Sequence, residues 1–163
     1  MEKMRLDNGL KEIAIENEKG EITGVLKINV YDSRVVQRFS KLIQNLNGVS
    51  DEYKREVKRL EEKYKDAPAD SENEDIDRAV DYSNSNVNFL NKCISEIDAV
   101  FGEGTIKTVF SECYQIHSDF VPDEYALTQF IDEIIHVMNK LFNARFEENK
   151  KRYGAGKRGK KTK

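Results

Sequence analysis

From Glu74 to Phe110 apolar positions return every three or four residues. The series runs Ile76, Ala79/Val80, Ser83, Val87, Leu90, Ile94, Ile97 and Phe101, and resumes at Ile106, Val109, Phe110 and Cys113. That spacing predicts one apolar stripe along a long helix, an elbow at Gly102-Glu103-Gly104-Thr105, and a second helix after it. Gly102 can take the left-handed conformation that ends a helix, which a Cβ would penalise, and Thr105 or Gly104 can cap the next one. Ser71 and Glu74 have the spacing of a capping box for the long helix. Within it, Tyr82-Ser83-Asn84-Ser85-Asn86-Val87-Asn88 is rich in poor helix formers, which leaves open whether the helix kinks or divides there.

The pattern elsewhere supplies elements to cover that stripe. Leu10 to Glu16 alternates, with Ile13 and Ile15 on one face. Glu21 to Val30 alternates again, with Ile22, Leu26, Ile28 and Val30 together, and Asn17-Glu18-Lys19-Gly20 lies between the two runs. Period two around a short turn ending in Gly predicts a β-hairpin over about 10–30. Gly24 inside the second run marks a bulge or a close backbone approach. Asp32 is placed to cap a helix over 33–47 that turns Val35, Val36, Phe39, Leu42, Ile43 and Leu46 inward and stops at Asn47-Gly48. Ser50 is placed to cap the next helix, to about Lys65, whose stripe is thin (Tyr53, Val57, Leu60, Tyr64) between many charges. Asp66 to Asn73, acidic and carrying Pro68, reads as a loop. Tyr114 to Val121 reads as a connector, and Pro122 fits the first turn of a last helix reaching about Lys150. Leu127, Phe130, Ile131, Ile134, Ile135, Met138, Leu141, Phe142 and Phe146 give that helix the strongest apolar face in the chain. The expected fold is mainly α: a four- to five-helix domain with an N-terminal antiparallel β-hairpin (α+β), occupying 1–150 as a single domain. The glycine-rich basic end, 151–163, is expected to be disordered.

Composition narrows the function. At 38% hydrophobic and 35% charged, the 163 residues are polar for a globular chain but rich enough in aliphatic and aromatic residues to build a core. The net charge of −3 hides an asymmetry. Eight of the 27 basic residues, and none of the 30 acids, lie from Lys150 onward, so the rest carries 19 basic residues against 30 acids. An acidic body is a poor partner for phosphate backbones, and no aromatics interleave the basic residues to stack bases. No leader-like run and no run of about 18 apolar residues occurs, so a cytoplasmic, non-membrane protein is expected, with reduced Cys93 and Cys113.

Candidate chemistry is thin. Cys113 and His117 share a helical spacing of four, as do Asp132 and His136, but two ligands do not hold zinc, which needs three or four. A pairing of either cysteine with either histidine lacks a local group to activate the thiol or an oxyanion-hole motif. Gly102-Glu103-Gly104 is no phosphate loop, since no strand precedes it and no Lys-Ser/Thr follows. No two acids stand out as a glycosidase pair. The expectation is no catalytic residue, no cofactor and no metal.

At Ile97-Asp98-Ala99-Val100-Phe101-Gly102-Glu103-Gly104-Thr105, followed by Val109-Phe110, the chain resembles the tail assembly chaperones of long-tailed phages and prophages of Gram-positive bacteria. The likeness extends to the order of parts: hairpin, helices, an F-G-x-G-T elbow, a long final helix and a short basic end. The hairpin is longer, and 66–73 more acidic, than that pattern. The resemblance implies a small, mostly helical, non-enzymatic protein that keeps a tape measure protein soluble during tail-tube assembly in the bacterial host cytoplasm. Such a client is a long helix with exposed apolar faces, so its partner needs an apolar groove, expected from Phe130, Ile134, Met138 and Phe142. Lys157, Arg158, Lys160 and Lys161 are the expected contact residues of the tail. A free hairpin edge invites self-association. The alternative class is a regulatory or nucleic-acid-associated protein acting through the basic tail.

Overall fold

The computed structural model describes residues 1–66 and 72–157, with side chains of the last helix described through Arg152. The described residues form an α+β domain: strands β1 (Leu10–Glu16) and β2 (Ile22–Asn29), then helices α1 (Val35–Tyr64), α2 (Glu72–Phe101), α3 (Thr105–Val109), α4 (Ser111–Ile116) and α5 (Glu124–Lys157). Mainly helical architecture with an N-terminal antiparallel hairpin is what the periodicity predicts.

The hairpin turns where expected. Asn17 Oδ1 accepts from the backbone N–H groups of Lys19 and Glu21, and Gly20 adopts φ 77° to close the loop. The register pairs Ile13 with Leu26 and Ile15 with Gly24, but Glu16 with Ile22, so a bulge falls beside Gly24. Both readings of Gly24 hold, because a Cβ there would also stand 2.9 Å from the Thr108 carbonyl oxygen of α3. The bulge reverses the alternation beyond it. Leu26, Ile28 and Val30 are buried, whereas Ile22, expected on the same face, is exposed.

α1 and α2 are 30 residues each and run antiparallel. Phe39 meets Phe101 at one end, Tyr53 stacks on Phe89 in the middle, and the Tyr64 hydroxyl donates to Asp81 at the other. The break expected at Asn47-Gly48 does not occur. The helices expected over 33–47 and 50–65 are one, because Gly48 stays out of the left-handed region and Ser50 lies inside the helix. A mid-helix glycine costs about 1 kcal/mol, less than the packing of Leu46, Val49 and Tyr53 on the core returns. α2 likewise runs unbroken through Tyr82–Asn88. Ser85 is buried there, a small side chain that lets the helices approach. α2 already includes Glu72 and Asn73, at the end of the expected loop, while Ser71 of the expected capping box lies outside the described residues.

Beyond the elbow, the single expected helix is two. Phe110, at φ −105° and ψ 32°, is not helical, and its ring packs near Phe120. Pro122 is fully buried but precedes α5 rather than forming its first turn. Asp123 caps α5 through a hydrogen bond from Ala126 N–H to its Oδ1. α5 continues to Lys157, past the end expected near Lys150, so the first part of the segment expected to be disordered is helical; 158–163 lie outside the described residues.

The core sits where the hairpin, α3, α5 and the facing halves of α1 and α2 converge on Leu42, Leu90, Ile97, Ile106 and Ile134. Beyond its buried face, α5 makes two ring contacts among the described residues. Phe130 packs edge-on against Phe101, and the Arg145 guanidinium lies 4.2 Å over the Tyr31 ring. Tyr31 is itself fixed by donating to Asp7, whose carboxyl is held below its usual range by the Gly9 N–H and that hydroxyl. The distal parts of α1 and α2 extend from this core as a two-helix arm with Leu60, 1% exposed, at its centre.

Candidate interaction surfaces

The motif that carries the family likeness is a structural device. Gly102 and Gly104 adopt φ 115° and 80°, and Gly104 is the N-cap residue of α3. Its side chain cannot cap, so the cap comes from the preceding helix. Asp98 Oδ2 accepts from Gly104 N–H and Oδ1 from Ile106 N–H, both at 3.1 Å. Thr105 and Thr108 hydroxyls donate to the carbonyls of Gly102 and Gly104. Asp98, Thr105 and Thr108 thus each make a local bond at the elbow, and Ile106, 0% exposed, is driven into the core by the turn. Sequence reasoning named the glycines and Thr105 but assigned no role to Asp98; its position one turn before Gly102 was the available signal.

The expected groove on the last helix is not a groove. Phe130, Ile134 and Met138 are buried in the chain's own core, and Phe142 packs against it half-buried. Little of their surface is left for a partner, and Phe130 and Ile134 reach the surface only in the lining of a trough beside the hairpin. Their apolar face is consumed because α5 closes a core shared with the hairpin, α2 and α3, which periodicity within one helix could not reveal. Of the basic contact residues, Arg158, Lys160 and Lys161 and the side chain of Lys157 fall outside the described residues; Lys150, Lys151 and Arg152 are exposed on the last described turns.

Two other surfaces are open. The first is the arm. Ile76, Val80, Ser83 and Val87 fall within about 60° of one face of α2, on the side opposite Asp81, Ser85 and Phe89, which meet α1. The same stripe is buried farther along at Leu90 and Ile97, but Ile76, Val80 and Val87 are 60%, 49% and 37% exposed. Since α1 ends at Tyr64 beside Asp81, α2 has no α1 alongside its first turns. Across the arm, between α1 and α2, a polar cleft of about 940 Å³ carries the Lys92–Glu52 ion pair.

The second surface is a trough of about 670 Å³ between the hairpin, α4 and the first half of α5. Ile13, Ile15, Val109, Phe110 and Val137 are among its apolar walls, and Glu16, Glu18, Glu112 and Glu133 are exposed along its rim with no Lys or Arg among the lining residues. Three separate segments supply those carboxylates, so no local pattern announced them.

The thiols are unlike. Cys93 is buried, and burial pushes its thiol up to about 11, away from the depressed values of nucleophilic cysteines. Cys113 is half-buried, and His117 and His136 are exposed. Among the described residues no three His, Cys, Asp or Glu side chains are grouped to hold a metal ion, and no helix is long and apolar enough to cross a membrane. No protein-family model, curated protein or solved structure matches this chain.

Proposed function

We propose that this protein is a non-enzymatic assembly chaperone that covers an apolar face of a helical client, the client being the tape measure protein of a long-tailed phage or prophage. The observation that supports it is the uncovered stripe on α2. Ile76, Val80 and Val87 extend a line whose other half, at Leu90 and Ile97, is buried in the core that α5 helps to form. An amphipathic helix laid on the arm would continue that burial for about 16 Å. The binding surface is therefore on α2, and the α5 side chains act indirectly, by completing the core that supports the arm.

The test is co-expression of the full chain with a candidate tape measure protein. The client is expected to stay soluble and to co-purify with the wild type. The double variant Val80→Glu/Val87→Glu changes two exposed positions and so should fold normally. Each valine buried by a client contributes about 1.5 kcal/mol, so capture should weaken by tenfold or more. Equal capture by the double variant, or a client indifferent to the protein, would refute the proposal. Salt-sensitive DNA binding abolished by deleting 157–163 would favour the nucleic-acid reading instead.

A further inference from the structure

The trough and the end of α5 are complementary in chemistry. The trough offers an apolar floor that includes Phe110 and Ile134 beneath a rim of Glu16, Glu18, Glu112 and Glu133, with no cation among its lining residues. The last described turns of α5 offer the reverse. Phe146 is 65% exposed, and Lys150, Lys151 and Arg152 stand in solvent within a stretch that contains no acid from Lys150 onward. We propose that the trough is the seat for the C-terminal end of α5 from a second copy of this chain, so that copies join head to tail through an aromatic anchor and lysine–glutamate pairing.

A chain cannot occupy its own seat. From Val137 at the trough to Lys150, a continuous helix rises about 20 Å away from it, and α5 runs on to Lys157. The contact is thus between copies and heterologous: each copy presents one seat and one end, and association continues until a ring closes or a filament grows. Charged rims of this kind set orientation and on-rate and weaken with salt.

Two variants separate the halves of the contact. Truncation after Asn149 removes the basic end and leaves the seat. Glu112→Lys/Glu133→Lys reverses the rim and leaves the end. By sedimentation velocity, the wild type should self-associate as concentration rises, into a reciprocal dimer, a larger ring or a filament, and dissociate in high salt, while each variant alone stays monomeric. Mixed, the two variants should form a one-to-one complex and nothing larger, because only one productive contact remains. Circular dichroism and thermal unfolding confirm that each is folded; should the lysine pair unfold, Glu112→Gln/Glu133→Gln, expected to weaken assembly several-fold, takes its place. A wild type that is monomeric at every concentration, a truncated chain that assembles like the wild type, or folded variants that fail to combine would overturn the proposal. So would a monomer whose basic end binds DNA in a salt-dependent manner, which would assign that end to nucleic acid.

Discussion

Replacing Asp98 by Ala removes the acceptor of two backbone hydrogen bonds at the elbow, from Gly104 and Ile106, each 3.1 Å long. Neither donor has an obvious substitute: Gly104 is at φ 80°, with no side chain to offer, and Ile106 is fully buried. One such bond is worth about 1 kcal/mol net, and loss of a helix cap costs a similar amount, so Asp98→Ala should destabilise by about 2 kcal/mol. For a domain of this size that corresponds to a fall in Tm of about 4–8 °C. Asp98→Asn retains one carbonyl oxygen and should lose about half as much. Glu103→Ala, exposed in the same turn, should stay within about 0.5 kcal/mol. Urea and thermal unfolding followed by far-ultraviolet circular dichroism measure all three. If Asp98→Ala proved as stable as Glu103→Ala, the reasoning that the preceding helix caps the following one would be wrong.

Gly24→Val should loosen the hairpin from α3, because its Cβ would stand 2.9 Å from the Thr108 carbonyl oxygen, which cannot move independently of the backbone. A cost of about 1–3 kcal/mol is expected, with faster amide exchange in β2 than in α2. Native-state alkylation should modify Cys113 well before Cys93, since Cys93 is buried with its thiol pushed up to about 11; equal rates would contradict the core placement. Lys63 and then Tyr64 hold the Asp81 carboxyl below its usual range. A depressed folded value means that the stabilisation is complete above the unfolded carboxyl range, near pH 4, and disappears as pH falls through the folded value. Urea midpoints should therefore drop as pH falls below about 4, and the drop should shrink in Asp81→Asn.

Much of the fold could be read from local pattern because local physics fixes it. Period-two alternation around Asn17–Gly20 marks the hairpin, the glycine pair marks the elbow, and Gly24 signals a bulge or a close approach, of which the structure has both. Continuity was harder. Gly48 and the run Tyr82–Asn88 looked like breaks on propensity, yet each lies in a helix whose other side chains are packed, and that packing outweighs about 1 kcal/mol per poor residue.

An apolar stripe says that a face will be covered, and it says so in the residues themselves: Ile76 to Phe101 on α2, Leu127 to Phe142 on α5. What covers it is settled only in three dimensions. α5 spends Phe130, Ile134 and Met138 inside the chain, while Ile76, Val80 and Val87 remain open on the side of α2 turned away from α1. The acidic rim of the trough is likewise a product of the tertiary structure, because Glu16, Glu112 and Glu133 come from three elements that only folding brings to one opening. Hydrophobic burial has no direction of its own, so sequence fixes how much apolar surface must be buried, and the arrangement of helices decides which part of it is left for a partner.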